Sequence, residues 1–89
     1  MGNRKRAGSR RLNTENKLYT PKSGTTVYID YLEKNRILEI EFTKGEAYHY
    51  FDVEPDVWVE YRDLINEGKS SGAYANFVIK PNYEFEKIT

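Results

Sequence analysis

The sequence has no cysteine, one histidine, one methionine and one tryptophan among its 89 residues. Without thiols there is no disulfide, no thiolate metal ligand and no cysteine nucleophile. His49 is the single histidine, and one imidazole with no cysteine to join it does not make a metal site. Beyond Ser9, serine occurs only at 23, 70 and 71, and nothing in the pattern sets a nucleophile beside an oriented base. The expectation is therefore no enzyme, no metal and no cofactor. No apolar run approaches the ~20 residues of a membrane span, and the first residues lack the apolar centre of a secretory signal. The expected setting is soluble and cytoplasmic.

Aromatic residues, by contrast, are abundant: eight Tyr, four Phe and one Trp. A chain of this length buries only ~60% of the surface its unfolded form exposes, and large rings partly compensate. The stretch from Ile37 to Val53 reads as a β-hairpin. Leu38, Ile40 and Phe42 alternate with Glu39 and Glu41, which separates an apolar face from a carboxylate face. Thr43-Lys44-Gly45-Glu46 forms the turn, with Gly45 able to take positive φ. On the return strand Tyr48 and Tyr50 share one face, while Ala47, His49 and Phe51 share the other. Upstream, Val27, Ile29 and Tyr31 alternate with Tyr28, Asp30 and Leu32 in a first strand, and short links make the three strands an antiparallel meander.

A helix follows, near 54–67. Asp52 is its expected N-cap, and Pro55 falls in the first turn, where proline is tolerated. Val57, Tyr61, Leu64 and Ile65 form an apolar stripe bordered by Trp58, and Gly68 is the expected stop. Lys69-Ser70-Ser71-Gly72 reads as a polar turn. A short segment to Lys80 then places Tyr74, Phe77 and Val78 on one helical face, and residues 83–88 read as a last edge strand or an extended tail. The predicted fold class is α+β: a three- to four-stranded antiparallel meander packed by one main helix, plus a short C-terminal helix or turn.

Charge divides the chain. Residues 1–22 carry seven Lys/Arg and one acid, whereas residues 23–89 carry seven Lys/Arg and thirteen acids. The first part is rich in Gly, Ser, Asn and Arg and poor in apolar side chains, too poor to offset its ordering entropy. Residues 1–24 are accordingly expected to be a disordered basic tail, ordered at most near Leu18-Tyr19, and residues 25–89 the folded domain.

The folded part resembles the KTSC domain family, small domains named for lysyl-tRNA synthetase C-termini and also free-standing in bacteria and phages. The resemblance rests on Tyr31, on Leu38-x-Ile40-x-Phe42 with Gly45, and on the Tyr48-His49-Tyr50 motif. It continues in Phe51-Asp52-Val53-x-Pro55-x-Val57 and in Ser70-x-Gly72-x-Tyr74-x-Asn76 followed by Ile79. Leu32 departs from the family pattern, which favours Asp there. The stretch from Trp58 to Ser70 is about one helical turn longer, and the basic tail lies outside the pattern. The resemblance implies no established activity, and RNA binding as the role suggested for such domains.

Three groups of residues are candidates for function. Arg4, Lys5, Arg6, Arg10 and Arg11 can neutralise phosphates without sequence preference; their plainer role is a solubilising tail, or one that folds back on the acidic domain. Tyr48 and Tyr50 form a stacking platform for unpaired bases if exposed, and core if covered. Lys69, Ser70, Gly72, Tyr74 and Asn76 make a candidate ligand turn, an anion nest if its N–H groups are free and ordinary capping with positive φ at Gly72 if not. Asp30, Glu39, Glu41, Glu60, Asp63 and Glu67 alternate with core positions and are expected on solvated faces. Two functions follow. One is a small non-catalytic module associated with RNA or DNA through its basic tail. The other is a protein-interaction or structural module with a partner protein, for example a phage virion or host-modulating component, which would place it in the virion.

Overall fold

A computed structural model describes residues 11–88. Arg4, Lys5, Arg6 and Arg10 of the expected tail cluster lie outside the described residues. Five strands, β1 (Leu18–Tyr19), β2 (Thr26–Leu32), β3 (Ile37–Phe42), β4 (Ala47–Tyr50) and β5 (Phe85–Lys87), form one antiparallel sheet in sequence order. The three central strands are those expected from their period of two; an edge strand is added on each side. β3 pairs Leu38 with Tyr50 and Ile40 with Tyr48, and it pairs Glu39 with Asp30 of β2 and with His49 of β4. Gly45 turns the β3–β4 hairpin at φ 95°, a conformation in which a Cβ would be strained.

Helix α1 (Pro55–Asn66) covers one sheet face. Its N-cap is Glu54, not the expected Asp52, which sits just before it at φ 61°. The helix ends as expected: Gly68 has φ 84°, its N–H donates to the Ile65 carbonyl at 2.9 Å, and Lys69 N–H donates to the Leu64 carbonyl at 2.9 Å. These two bonds satisfy carbonyls that the helix end leaves open. Ile29, Tyr31, Leu38, Ile40 and Phe42 meet Trp58 and Tyr61 in the core, with Val57, Leu64 and Ile65 partly buried around them. Trp58 is deeper than a bordering residue: its ring stacks on Tyr31 at 5.3 Å and 9°.

After α1, helix α2 (Ser71–Tyr74) runs straight into a π-helical turn, Ala75–Ile79. The wider winding changes which side chains face inward. Ala75 and Ile79 are buried, whereas Phe77, expected on one face with Tyr74 and Val78, is 78% exposed while Tyr74 is buried. Gly72 does not take positive φ, contrary to expectation; a Cβ there would stand 2.7 Å from Thr25 Cβ. Its smallness serves the close approach of α2 to the chain before β2. Beside it a buried hydroxyl chain joins β2, α1 and α2 to the link that follows β1. Thr20 Oγ1 lies 2.7 Å from Thr26 Oγ1, which donates to Ser71 Oγ at 2.8 Å, and Tyr61 OH sits 2.9 Å from the same Ser71 Oγ.

The second sheet face differs most from expectation. Residues 11–24, assigned above to a disordered tail, lie on the domain, and β1 adds to the sheet edge at Ile29 and Tyr28. Residues 11–17 form a strap over the carboxylate face that closes in a turn, Lys17 N–H donating to the Thr14 carbonyl at 3.1 Å, with Leu12, Thr14 and Asn16 half-buried and Arg11, Asn13 and Glu15 exposed. Beneath it Asp30 and Glu39, expected in solvent, are fully buried together with His49.

Candidate functional site

Two places on the molecule combine polar chemistry with shape, one on each sheet face. The first is a cleft of about 500 Å³ at the end of the α1 face, where the helix no longer covers the sheet. Its walls are Phe42, Tyr48, Tyr50 and Phe85, with Lys44, Glu46, Asn76 and Lys80 among the polar residues around them. Strand register puts the rings together, since Tyr48 is partnered with Ile40, and Tyr50 with both Leu38 and Phe85, on the same face. The Tyr48 ring meets Phe85 at 5.6 Å and 72° and Phe42 at 5.8 Å and 77°. Lys80 Nζ stands 4.8 Å from the centre of the Phe42 ring, a cation–π distance.

The two tyrosines of the Tyr-x-Tyr motif part company here. Tyr48 is half-buried, while Tyr50 is only 2% exposed and forms the floor. The second open ring is Phe85, 60% exposed. Tyr48 OH donates to Glu46 at 3.2 Å, and Lys87 Nζ donates to the other Glu46 oxygen at 3.4 Å. The Tyr48 bond, then Lys87, holds the Glu46 carboxyl below its usual range. Loss of solvent and the Glu46 carboxylate push the Tyr48 phenol up, so it stays a protonated donor at neutral pH.

The candidate ligand turn is not one site. Lys69 and Ser70 border a different cleft, of about 470 Å³, between residues 18–25 and the end of α1. Ser70 Oγ accepts from Ala73 N–H at 3.0 Å, an N-cap, and Lys69 pairs with Glu67 at 3.4 Å. Gly72 and Tyr74 are buried, and Tyr74 OH donates to Glu60 at 2.8 Å. Only Asn76 reaches the aromatic cleft, with an exposed side chain on its wall.

The second place is the strapped row on the opposite face. Glu39 Oε1 lies 2.8 Å from His49 Nε2 and accepts from Leu12 N–H at 2.7 Å, while Tyr28 OH donates to Oε2. Burial alone pushes this carboxyl up, but the bonds from His49, Tyr28 and Leu12 outweigh it and hold it below the ordinary range. An ionised Glu39 requires the His49 proton on Nε2. His49 Nδ1 and Glu86 Oε1, neighbours in the β4–β5 register, are buried with no hydrogen-bond partner among the described residues. Asp30 accepts from Thr14 N–H at 2.8 Å, Thr14 Oγ1 at 2.5 Å and Tyr31 N–H at 2.8 Å. Arg11, the one residue of the basic cluster within the described residues, pairs with Glu41 and donates to Tyr28 OH at 3.3 Å. No group of three or more His, Asp or Glu suited to a metal ion occurs among the described residues.

Phe85, Lys80 and Lys44 escaped the sequence reading because each is locally an ordinary strand or surface residue. The buried Glu39–His49 pair escaped because it depends on a cover from a segment of polar composition. Leu12, one of the few apolar side chains there, was the available signal.

The KTSC domain family matches residues 22–83. A lysine--tRNA ligase of Nostoc punctiforme is 31% identical over 72 residues, which is 81% of this chain and 12% of that protein. The chain belongs to the KTSC domain family. The strap and β5 lie outside the matched residues. No helix among the described residues is long and apolar enough to cross a membrane.

Proposed function

We propose that this KTSC-domain chain is a non-catalytic module that binds single-stranded nucleic acid, RNA in the first place, through the aromatic cleft. The observation that carries this reading is the meeting of an accessible Tyr48 and Phe85 with Lys44, Lys80 and Asn76 around one cleft. Unpaired bases stack on such rings whatever their sequence, ammonium groups at the rim meet phosphates, and an amide can pair with a base edge. The name of the lysine--tRNA ligase relative points the same way. Residues 23–89 are acidic overall, so cations placed at the cleft matter more than net charge. The basic residues Arg4, Lys5, Arg6, Arg10 and Arg11 add sequence-tolerant affinity.

Fluorescence anisotropy with a labelled single-stranded RNA oligonucleotide tests the reading. Tyr48→Ala should weaken binding about tenfold, the value of one stacked base. Lys80→Ala should flatten the log–log salt dependence by about 0.7, one phosphate contact. Unchanged affinity in both variants would exclude the cleft.

A second reading, a protein-interaction module, is favoured by Phe77, which is 78% exposed on the π-helical turn. A ring left open on an ordered helix suits an anchor for a partner protein.

A further inference from the structure

The cleft and the strap occupy opposite sheet faces. Tyr48 and Tyr50 share the face of Leu38 and Ile40, while Arg11, Leu12 and Thr14 lie over Glu41, Glu39 and Asp30 on the other. Contacts to carboxylates fasten the strap at three successive places: Arg11 to Glu41, Leu12 N–H to Glu39, and Thr14 to Asp30. Lys17 Nζ adds a contact over the Tyr28 ring at 4.2 Å. Such fastenings are charge-assisted. They also engage cations and donors of the basic part of the chain that the proposed function uses. Arg11 gives one guanidinium nitrogen to both Glu41 and Tyr28, so a phosphate competes with Glu41 for its charge, and a strand seated in the cleft does not reach Arg11 through the sheet.

We propose that the strap is an autoinhibitory latch: phosphates and the acidic sheet face compete for residues 11–17, and a bound polyanion lifts them from Asp30, Glu39 and Glu41. The inference rests on the nucleic-acid reading and adds its regulation. The latch is closed in the free chain because four carboxylate oxygens of Asp30, Glu39 and Glu41 accept from the strap. Release costs those bonds and exposes Glu39 and His49 to water. A polymer of closely spaced phosphates supplies the replacement acceptors, and released counterions favour the exchange at low salt. Glu39, Glu41 and Asp30 then repel the polymer and keep it on the freed arm. Affinity in the free chain is thereby held below what its cations alone would give.

Amide hydrogen exchange on the full chain at low salt tests this, with poly(U) and inorganic polyphosphate as separate probes. The Leu12 and Thr14 amides should exchange at least tenfold faster when either polymer saturates the chain. Glu41→Gln, which frees Arg11, should steepen the log–log salt dependence of poly(U) binding by about 0.7. If poly(U) binds and both amides stay protected, the latch is overturned while the cleft reading stands. If polyphosphate loosens both amides but poly(U) does not bind, the latch holds and the nucleic-acid reading fails. If neither polymer changes the exchange, the latch is overturned, whatever the variant does.

Discussion

His49 Nε2 lies 2.8 Å from Glu39 Oε1, and neither side chain reaches solvent. A lone histidine and a strand glutamate, each ordinary at a surface, thus form the buried centre of a five-stranded sheet. Their partners come from elements far apart in sequence: Tyr28 from β2 and Leu12 from the strap.

Removing one member should expose the energetic stake of this arrangement. Glu39→Ala leaves His49 Nε2–H, Tyr28 OH and Leu12 N–H without their acceptor, and should destabilise the domain by ~3–5 kcal/mol. Replacing both partners, Glu39→Leu with His49→Phe, should recover part of that loss, because an apolar pair leaves fewer buried donors unpaired. Urea denaturation of the single and double variants measures both. A single variant within ~1 kcal/mol of the wild type would contradict the buried pair.

The same carboxyl sets a pH dependence. Its value in the folded chain is lowered from 4.5, because hydrogen bonds from His49, Tyr28 and Leu12 outweigh burial. A depressed folded value means that its stabilisation is fully present above the unfolded value and is lost as pH falls through the folded one. Unfolding free energy should therefore drop from neutral pH into the acid range, and Glu39→Gln should show a shallower drop. Glu46, held low by Tyr48 and Lys87, and Glu54, held low by its own N–H and by Tyr83, act in the same direction but are solvent-exposed and screened. Chemical denaturation across that pH range separates the two chains.

Gly72 should resist even the smallest side chain. A Cβ placed 2.7 Å from Thr25 Cβ forces α2 away from the chain before β2. Gly72→Ala should cost ~1–3 kcal/mol by overpacking. Thr25→Gly introduced with it should return most of that loss, whereas a strained positive φ would not be relieved by any change at Thr25. Thermal melts of the three variants decide the matter.

Phe77→Ser should leave stability within ~0.5 kcal/mol, since the ring is 78% exposed. It should equally leave RNA affinity unchanged if the cleft is the binding site. Loss of a captured partner protein with RNA binding intact would assign Phe77 to the interaction reading.

Phe42→Ala should do the opposite and destabilise by ~3–5 kcal/mol, because it removes a core ring. Phe42 touches Tyr48 on one side and carries Lys80 over its face. The loss should appear in denaturant unfolding. A midpoint close to that of the wild type would show that the ring does not belong to the core.

The central meander, α1 and its glycine stop were legible in the sequence because they depend on local repeats: a period of two in Leu38-x-Ile40-x-Phe42, a helical stripe through Tyr61, and Gly68 at the end. The Tyr48-His49-Tyr50 and Ser70-x-Gly72-x-Tyr74-x-Asn76 motifs were equally visible, and they identified the family. Their physical roles were not. Asn76 and Phe85 join Tyr48 only because the π-helical turn and β5 return to the same end of the sheet, and Gly72 is explained by Thr25, 47 residues earlier in the chain. The carboxylate face shows the reason most clearly. By itself, the sequence determined that Asp30, Glu39 and His49 each lie on a definite side of their own strand, since alternation is a property of the strand; the register brings those three sides together. Whether that side meets water was decided by the tertiary structure alone. The strap that covers it is held by backbone and side-chain donors placed against those carboxylates, and composition does not record such an arrangement.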